Sequence, residues 1–477
     1  MQFVSVQFLI FVALSLSAFH LSGSLRAKKV VLLASNLVFA LFLVESPRRM
    51  LPMALFLAGS FCLVRLVQAR RRRSLLLMSV VLTLGAFVYL KQYNLPSAFP
   101  VLREPYSVIG LSYVLFRVLH LMIDSHEGML PETVSPVAFF NYCCFFPAWL
   151  SGPIQRYEDY REQERTVGSV ELSTAQVYEA LSRIVTGVFK IAVLSAVLFE
   201  VHRQLGGLRL EGSHPLHFVV TLAAAASLYT LFMYYNFSGY MDVAIGVAAL
   251  YGFRLPENFD RPFAAGNLLE FWTRWHITLS AWFRTYLFNP LLRTLVARFG
   301  TARSGPYLGV AAYLITFSVM GIWHGSTPVF VVYGLLLGVS VSANKLYEIE
   351  ARRWLGKDAF RRLRANALYC ALCRGLVFAS FAGALICFWA APRVTQRLLE
   401  SPLLVAASYL GLTIAAAAIL TLASLMRAGW ESASARFQAT SQSALARQAV
   451  LGVKTYAVVL LLVMQWTTVP SFVYVPF

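Results

Sequence analysis

Charge is scarce in this chain. Of 477 residues only 13% are charged, against 58% hydrophobic and 14% aromatic, where a water-soluble globular domain carries about 25% charged residues. That shortage excludes an ordinary soluble enzyme. Acids are scarcer still, 22 against 41 Lys and Arg, for a net charge of +19. Such an excess can signal a nucleic-acid partner, but the positives here are grouped in short loops between apolar runs, as the positive-inside rule describes. Cysteine is sparse too: six are scattered through the chain. Cys370 and Cys373 in "CALC" have no second pair to complete a zinc site, and we read all six as small apolar packing residues. No long soluble stretch is present, and the largest polar segments, about 151–176, 345–369 and 427–448, suit one or two surface helices each. No inverted repeat is evident, which removes a common mark of transporters.

What is abundant is apolar sequence long enough to span a bilayer. Such runs cover 3–21, 28–44, 51–68, 74–90, 177–199, 216–235, 306–342, 375–392, 402–426 and 449–467, with shorter ones at 108–123 and 136–150. They predict an all-α polytopic membrane protein with roughly 11–13 transmembrane or re-entrant helices. We treat residues 1–477 as a single membrane-embedded domain: N-terminal spans 1–105, a core 106–345 and C-terminal spans 346–477. The first run lacks a basic leader and a small-residue cleavage site, so it reads as a retained helix. Arg26, Lys28 and Lys29, then Arg70 to Arg73, then Arg352 to Arg364, then Arg427, Arg436, Arg447 and Lys454 mark inner loops, which places both termini outside.

Three polar intrusions interrupt this apolar background. "FWTRWHITLSAWFRTYL", residues 271–287, holds Arg274, His276 and Arg284, and a charge at the bilayer centre costs about 2.5 to 3.5 kcal/mol on insertion scales. Wound as a helix, Trp275, Leu279, Trp282 and Tyr286 share an aromatic face, while His276, Ser280 and Arg284 form a polar stripe. The stripe fits an interfacial helix with snorkelling arginines, or a water-filled cavity. "MGIWHGSTP", residues 320–328, breaks the run 306–342 with Gly321, Gly325 and Pro328 around Trp323 and His324. It fits a hinge, or a site where His324 accepts a proton from a hydroxyl. "YYNFSGYMDVAIG", residues 234–246, carries Asn236, Ser238 and Asp242 between glycines, and Asp242 is expected to pair with Arg274 or Arg284. His120 and Asp124 lie four apart, but no third ligand is apparent, and no metal is expected.

In this order these elements resemble the membrane-bound O-acyltransferase family, in its bacterial branch of alginate O-acetyltransferases and teichoic-acid D-alanyl transferases. The segments that carry the resemblance are "VIGLSYVLFRVLHLMIDSHEG", "FFPAWLSGPIQRYEDY", "FSGYMDVAIG", "GFRLPENFDRPF", "FWTRWHITLSAWFRTYLFNPL" and "GIWHG", within about residues 106–345. The resemblance implies a ring of helices around a central tunnel between a cytoplasmic donor entrance and an external acceptor funnel. His324 matches the family's catalytic histidine and His276 the second signature histidine. Asn236, Ser238, Asp242, Arg274, Trp275, Ser280, Arg284 and Trp323 would line the tunnel or bind substrate. Gly152, Pro153 and Arg156 resemble a family loop, in which Arg156 suits a helix cap. Thr285 replaces an acid of the family's "WFRDY", and "SYVLF" replaces a "SFYTF" type segment, which leaves the acceptor open. The tail "FVYVPF" resembles a Phe-x-Tyr-x-x-Phe motif whose tyrosine, here Tyr474, would relay the acyl group; as an aromatic interface anchor it needs no such role.

The implied function is transfer of an acetyl group from a cytoplasmic thioester, acetyl-CoA or an acyl carrier, to an exported polysaccharide. The acyltransferase would sit in the bacterial inner membrane and work with a periplasmic acyltransferase- or esterase-like partner. D-alanyl transfer to teichoic acid is the alternative, and a transporter or flippase the alternative of another class.

Overall fold

The computed structural model describes residues 5–44, 47–91, 110–130, 132–150, 152–167, 172–206, 214–301, 304–325, 327–437, 448 and 451–456. They are helical, with one isolated β-bridge and no named strand among the described residues. In chain order the helices are α1 (Val6–Leu21), α2 (Leu25–Phe42), α3 (Leu51–Arg70), α4 (Arg73–Lys91), α5 (Leu111–Glu127), α6 (Pro136–Cys143), α7 (Phe146–Trp149), α8 (Tyr157–Thr166) and α9 (Thr174–Phe189). A π-turn at Lys190–Ser195 leads into α10 (Ala196–Gly206), followed by α11 (Pro215–Leu250), α12 (Leu268–Phe271), α13 (Ile277–Phe283) and α14 (Asn289–Phe299). The series ends with α15 (Gly305–His324), α16 (Pro328–Ala365), α17 (Ala367–Leu385), α18 (Pro392–Glu400) and α19 (Pro402–Phe437).

Among the described residues eight helices are long and apolar enough to cross a membrane: α3, α4, the α9–α10 run, α11, α15, α16, α17 and α19. The remaining expected spans explain why the sequence count is higher. Run 28–44 is α2, which carries Arg26, Lys28 and Lys29 in its opening turns. Runs 108–123 and 136–150 form the shorter α5, α6 and α7, and 449–467 falls mostly outside the described residues.

Local chemistry sets several boundaries. Ser5, Ser24, Ser135 and Ser173 each accept a backbone N–H of the following turn, satisfying donors that a helix start leaves open. Ser173 and Gln176 complete a reciprocal capping box at α9. The run 306–342 divides where expected: α15 ends at His324, and Pro328 occupies the first turn of α16. The polar stretch after residue 345 continues α16, broken at Gly356, whose φ of 76° is left-handed.

The chain forms two compact units. The first comprises Met1–Ile191, Phe237–Glu257 and Ser471–Phe477; the last of these segments lies outside the described residues. In this unit Asn36 donates to Asn141 at 3.1 Å and accepts the N–H of Phe146 at 2.9 Å, tying α2 to α6 and α7. Arg117 of α5 is 2% exposed and donates to the carbonyls of Tyr142, Cys143 and Ala148 at 3.2, 3.1 and 2.8 Å. It thereby supplies donors to a helix end that would otherwise bury them unmet. Helices α9 and α11 touch backbone to backbone: a Cβ on Gly187 would stand 2.6 Å from the Gly239 carbonyl oxygen, and one on Gly239 2.8 Å from that of Gly187.

The second unit comprises Ala192–Asn236 and Asn258–Pro470. Its α15 and α16 cross at Gly321 and Gly334, where a Cβ on Gly321 would meet the Gly334 Cα at 2.5 Å. Ala226, Phe378, Ala379, Ala382, Leu412 and Ala416 form a core between α11, α17 and α19.

Candidate active site

Segment 271–287 is not the single helix its periodicity suggests. Asn267 caps one short turn, α12, by accepting the N–H of Glu270 at 2.8 Å. The chain then runs extended beside residues 258–260, with Trp275 bridged to Phe259 and the Asp260 N–H donated to the Arg274 carbonyl at 2.9 Å. His276 follows in a left-handed conformation, φ 46° and ψ 51°, and α13 begins only at Ile277. Left-handed backbone is uncommon for a residue with a Cβ and persists where the surroundings over-determine it. Here a bond from Ile277 N–H to the Asn258 carbonyl, 3.0 Å, holds the corner. At the other end α13 loosens into a π-turn at Arg284–Phe288.

The helical faces drawn from sequence therefore do not hold. Trp275 precedes the helix, stacks on Phe271 at 5.8 Å and lies 4.6 Å from Phe381. Ser280 donates back to the Trp275 carbonyl at 3.2 Å. His276, 1% exposed, turns its Nδ1 to Asn258 Oδ1 at 3.2 Å. That oxygen also accepts the Thr278 N–H at 3.1 Å and the Thr278 hydroxyl at 2.9 Å.

His324 closes α15, 8% exposed, within an aromatic frame. Trp323 lies 4.6 Å from its ring, Tyr333 5.4 Å away edge-on and Phe388 6.3 Å away. His276 and His324 belong to the same unit. In sequence they are separated by α13, α14 and nineteen residues of α15. A cavity of about 290 Å³ is lined by Trp272, Ile277, Ser280, Arg284, Tyr313 and Met320 among others, and neither His276 nor His324 is among its lining residues.

The remaining candidates fall in several places. Arg274 pairs with Glu270 at 2.8 Å, one turn earlier. Arg284 stands exposed on the π-turn. Asn236, fully buried, donates to Ser195 at 3.4 Å, and its Oδ1 has no hydrogen-bond partner among the described residues. Ser238 and Asp242 belong to the first unit. There Asp242 receives Arg183 at 3.1 Å and Lys190 at 2.6 Å, which corrects the expected pairing with Arg274 or Arg284. The reason is positional. Arg183 on α9 and Lys190, which opens the π-turn that follows it, lie seven residues apart, and the glycine contact sets this stretch against α11.

Tyr474 lies outside the described residues. His120 is engaged by the Tyr142 hydroxyl at 2.8 Å, which donates to the Gln155 carbonyl at 2.6 Å. Arg156 occupies the N-cap position of α8, but its side chain makes no cap bond. Among the described residues no group of three or more His, Cys, Asp or Glu side chains is placed to hold a metal. Asn258 is the site residue that sequence reasoning passed over. It stood inside the quoted "LPENF", but its role depends on a contact eighteen residues away, which helical periodicity does not encode.

The described residues thus combine eight helices long and apolar enough to cross a membrane with two buried histidines, one at a left-handed corner and one at a helix break. A sequence model of the membrane-bound O-acyltransferase family matches residues 75–390, about two thirds of the 477 residues; the chain belongs to that family. Among its relatives, "Teichoic acid D-alanyltransferase" of Bacillus subtilis is 27% identical over 272 residues, 54% of this chain and 65% of that protein. "Probable alginate O-acetylase AlgI" of Pseudomonas fluorescens is 29% identical over 346 residues, 70% of this chain and 64% of that protein. "Peptidoglycan O-acetyltransferase" of Helicobacter pylori is 28% identical over 228 residues, 46% of this chain and 41% of that protein. The chain thus spans between 41 and 65% of the length of these curated relatives.

Proposed function

We propose that this chain transfers an acetyl group from a cytoplasmic thioester, acetyl-CoA, to a hydroxyl of an exported polysaccharide, with His324 as general base. The observation that carries the reading is that a family member buries two histidines, His276 at a left-handed corner and His324 at a helix break, within one unit. The acceptor hydroxyl attacks the thioester carbonyl while its proton passes to His324. The tetrahedral intermediate then collapses, the C–S bond breaks, and His324 passes the proton to the departing sulfur, which leaves as the thiol and returns the ring to its neutral form. Base assistance of this kind contributes about 10² to 10⁴ in rate. Trp323, Tyr333 and Phe388 frame the ring and exclude water from it.

In this reading the helices ring a tunnel open to the cytoplasm for the donor and to the outside for the acceptor. Ser280, Arg284, Arg274, Asn236 and Trp275 line or support it. The protein resides in the inner membrane with its C-terminus external; in a Tyr474 relay the phenol would be the hydroxyl that attacks the thioester, and a second transfer would pass the acyl group on to the polysaccharide or a periplasmic partner. Support for polysaccharide acetylation comes from the relatives named for alginate and peptidoglycan acetylation. A second reading, D-alanyl transfer from a carrier-protein thioester, is favoured by the relative named for that reaction. Purified protein in nanodiscs, offered acetyl-CoA or a D-alanyl-carrier thioester with a polysaccharide acceptor, separates the two: the acetyl donor gives ester on the acceptor and the D-alanyl donor does not. Turnover of the D-alanyl donor alone would replace the first reading with the second. Movement of polymer without ester formation from either donor would leave the transporter class.

A further inference from the structure

Asn258 is 0% exposed, and it grips the His276 corner through two different oxygens. Its backbone carbonyl accepts the Ile277 N–H at 3.0 Å. Its side-chain oxygen accepts the Thr278 N–H at 3.1 Å and the Thr278 hydroxyl at 2.9 Å, and lies 3.2 Å from His276 Nδ1. A backbone N–H can only donate, so the amide atom facing Thr278 N is the oxygen and not the NH₂. An oxygen so placed has no proton to offer His276. For the His276–Asn258 contact to be a hydrogen bond, Nδ1 must carry the proton, and a neutral imidazole with Nδ1–H has its lone pair at Nε2.

We infer that Asn258 is a positioning residue of the active site: it fixes His276 as the Nδ1–H tautomer, in a left-handed corner, so that Nε2 is presented as a proton acceptor. The inference rests on the acyltransferase reading above and adds to it. His276 then serves as a second base-competent ring in the same unit as His324, rather than as a wall of the tunnel. An Asn suits this duty better than a carboxylate, because it orients the ring without adding charge. It also suits both protonation states, since Nδ1–H is present in the neutral Nδ1–H ring and in the imidazolium alike.

The test compares Asn258→Ala, Asn258→Asp and Thr278→Val in full-length protein in nanodiscs, by pH–rate profiles of acetyl transfer. Thr278→Val removes one of the three donors to the oxygen and leaves the backbone bond and the histidine contact. Asn258→Ala is expected to lower kcat by about a hundredfold, the scale of losing an oriented acid–base group, with KM changed less than about threefold. Asn258→Asp keeps an acceptor for all the donors and restores kcat at high pH. Its carboxylate favours imidazolium at His276, so the acidic limb of its profile moves upward by about one unit, a tenfold loss on that limb. Thr278→Val keeps the wild-type limb and stays within a few-fold of its rate. A merely structural Asn258 would give an Asn258→Asp profile with the limb unmoved. That outcome, a limb moved to lower pH, or an Asn258→Ala enzyme with kcat within threefold of wild type, would overturn the inference. Inactivity of the wild-type protein toward every donor would instead count against the acyltransferase reading itself.

Discussion

Arg183 on α9 reaches Asp242 on α11 at 3.1 Å, and the same guanidinium forks onto both oxygens of Glu257 at 2.6 Å each. Lys190 completes the cluster from 2.6 Å. Asp242 is thus a helix–helix cross-link, placed beside the Gly187–Gly239 contact that lets the two backbones meet.

Asp242→Asn should destabilise the protein by about 1 to 3 kcal/mol, between the small worth of exposed pairs and the larger cost of breaking buried ones. Adding Lys190→Gln should recover part of that loss, because the excess cation then goes too. Thermal unfolding in detergent of the two single variants and the double variant reads the coupling. Strict additivity would show that the pair does not cross-link the helices.

The crossing of α15 and α16 makes a second prediction. A Cβ on Gly321 would lie 2.5 Å from both the Gly334 Cα and the Phe330 carbonyl oxygen, whereas one on Gly309 meets nothing within 4 Å. Gly321→Ala should therefore cost about 1 to 3 kcal/mol through overpacking and lower acyl transfer, since His324 follows within one turn. Gly309→Ala should be neutral or slightly stabilising. Equal melting temperatures for the two variants would count against so close a crossing.

Arg117 offers a test of polar support inside the first unit. Its three bonds to carbonyls of 142, 143 and 148 are made from a buried side chain. Arg117→Met should cost about 1 to 3 kcal/mol for each buried carbonyl it leaves without a donor. Arg117→Lys should not rescue it, because a single ammonium cannot reproduce the guanidinium fork. Yield and melting temperature in detergent check both, and a lysine variant as stable as wild type would contradict the geometry.

Much of this architecture was legible in the residues. Long apolar runs read as helices, and Gly325 with Pro328 marked the break after His324 because neither favours a continuing helix. What periodicity missed was long-range. It drew one helix through 271–287, but the extended pairing of 258–260 with 274–277 starts α13 at Ile277 and takes Trp275 off its face. It gave Asp242 to Arg274 or Arg284, although Arg183 on α9 and Lys190 just after it hold it. Nothing local in "DVAIG" says which helix lies alongside. The importance of Asn258 was hidden for the same reason, since its partners are set by the tertiary corner.

His324 is the residue on which the proposed chemistry turns, and its variant gives the most direct measurement. Ester-linked acetate on extracellular and envelope polysaccharide is quantified in cells with wild-type protein, with His324→Ala and with no protein, at matched membrane levels of the two proteins. The predicted result is acetate in the His324→Ala cells equal to that in cells without the protein, a loss of about a hundredfold or more in transfer rate. Wild-type acetate in the His324→Ala cells would contradict the assignment of the base, and acetate unchanged across all three would contradict polysaccharide acetylation as the reaction.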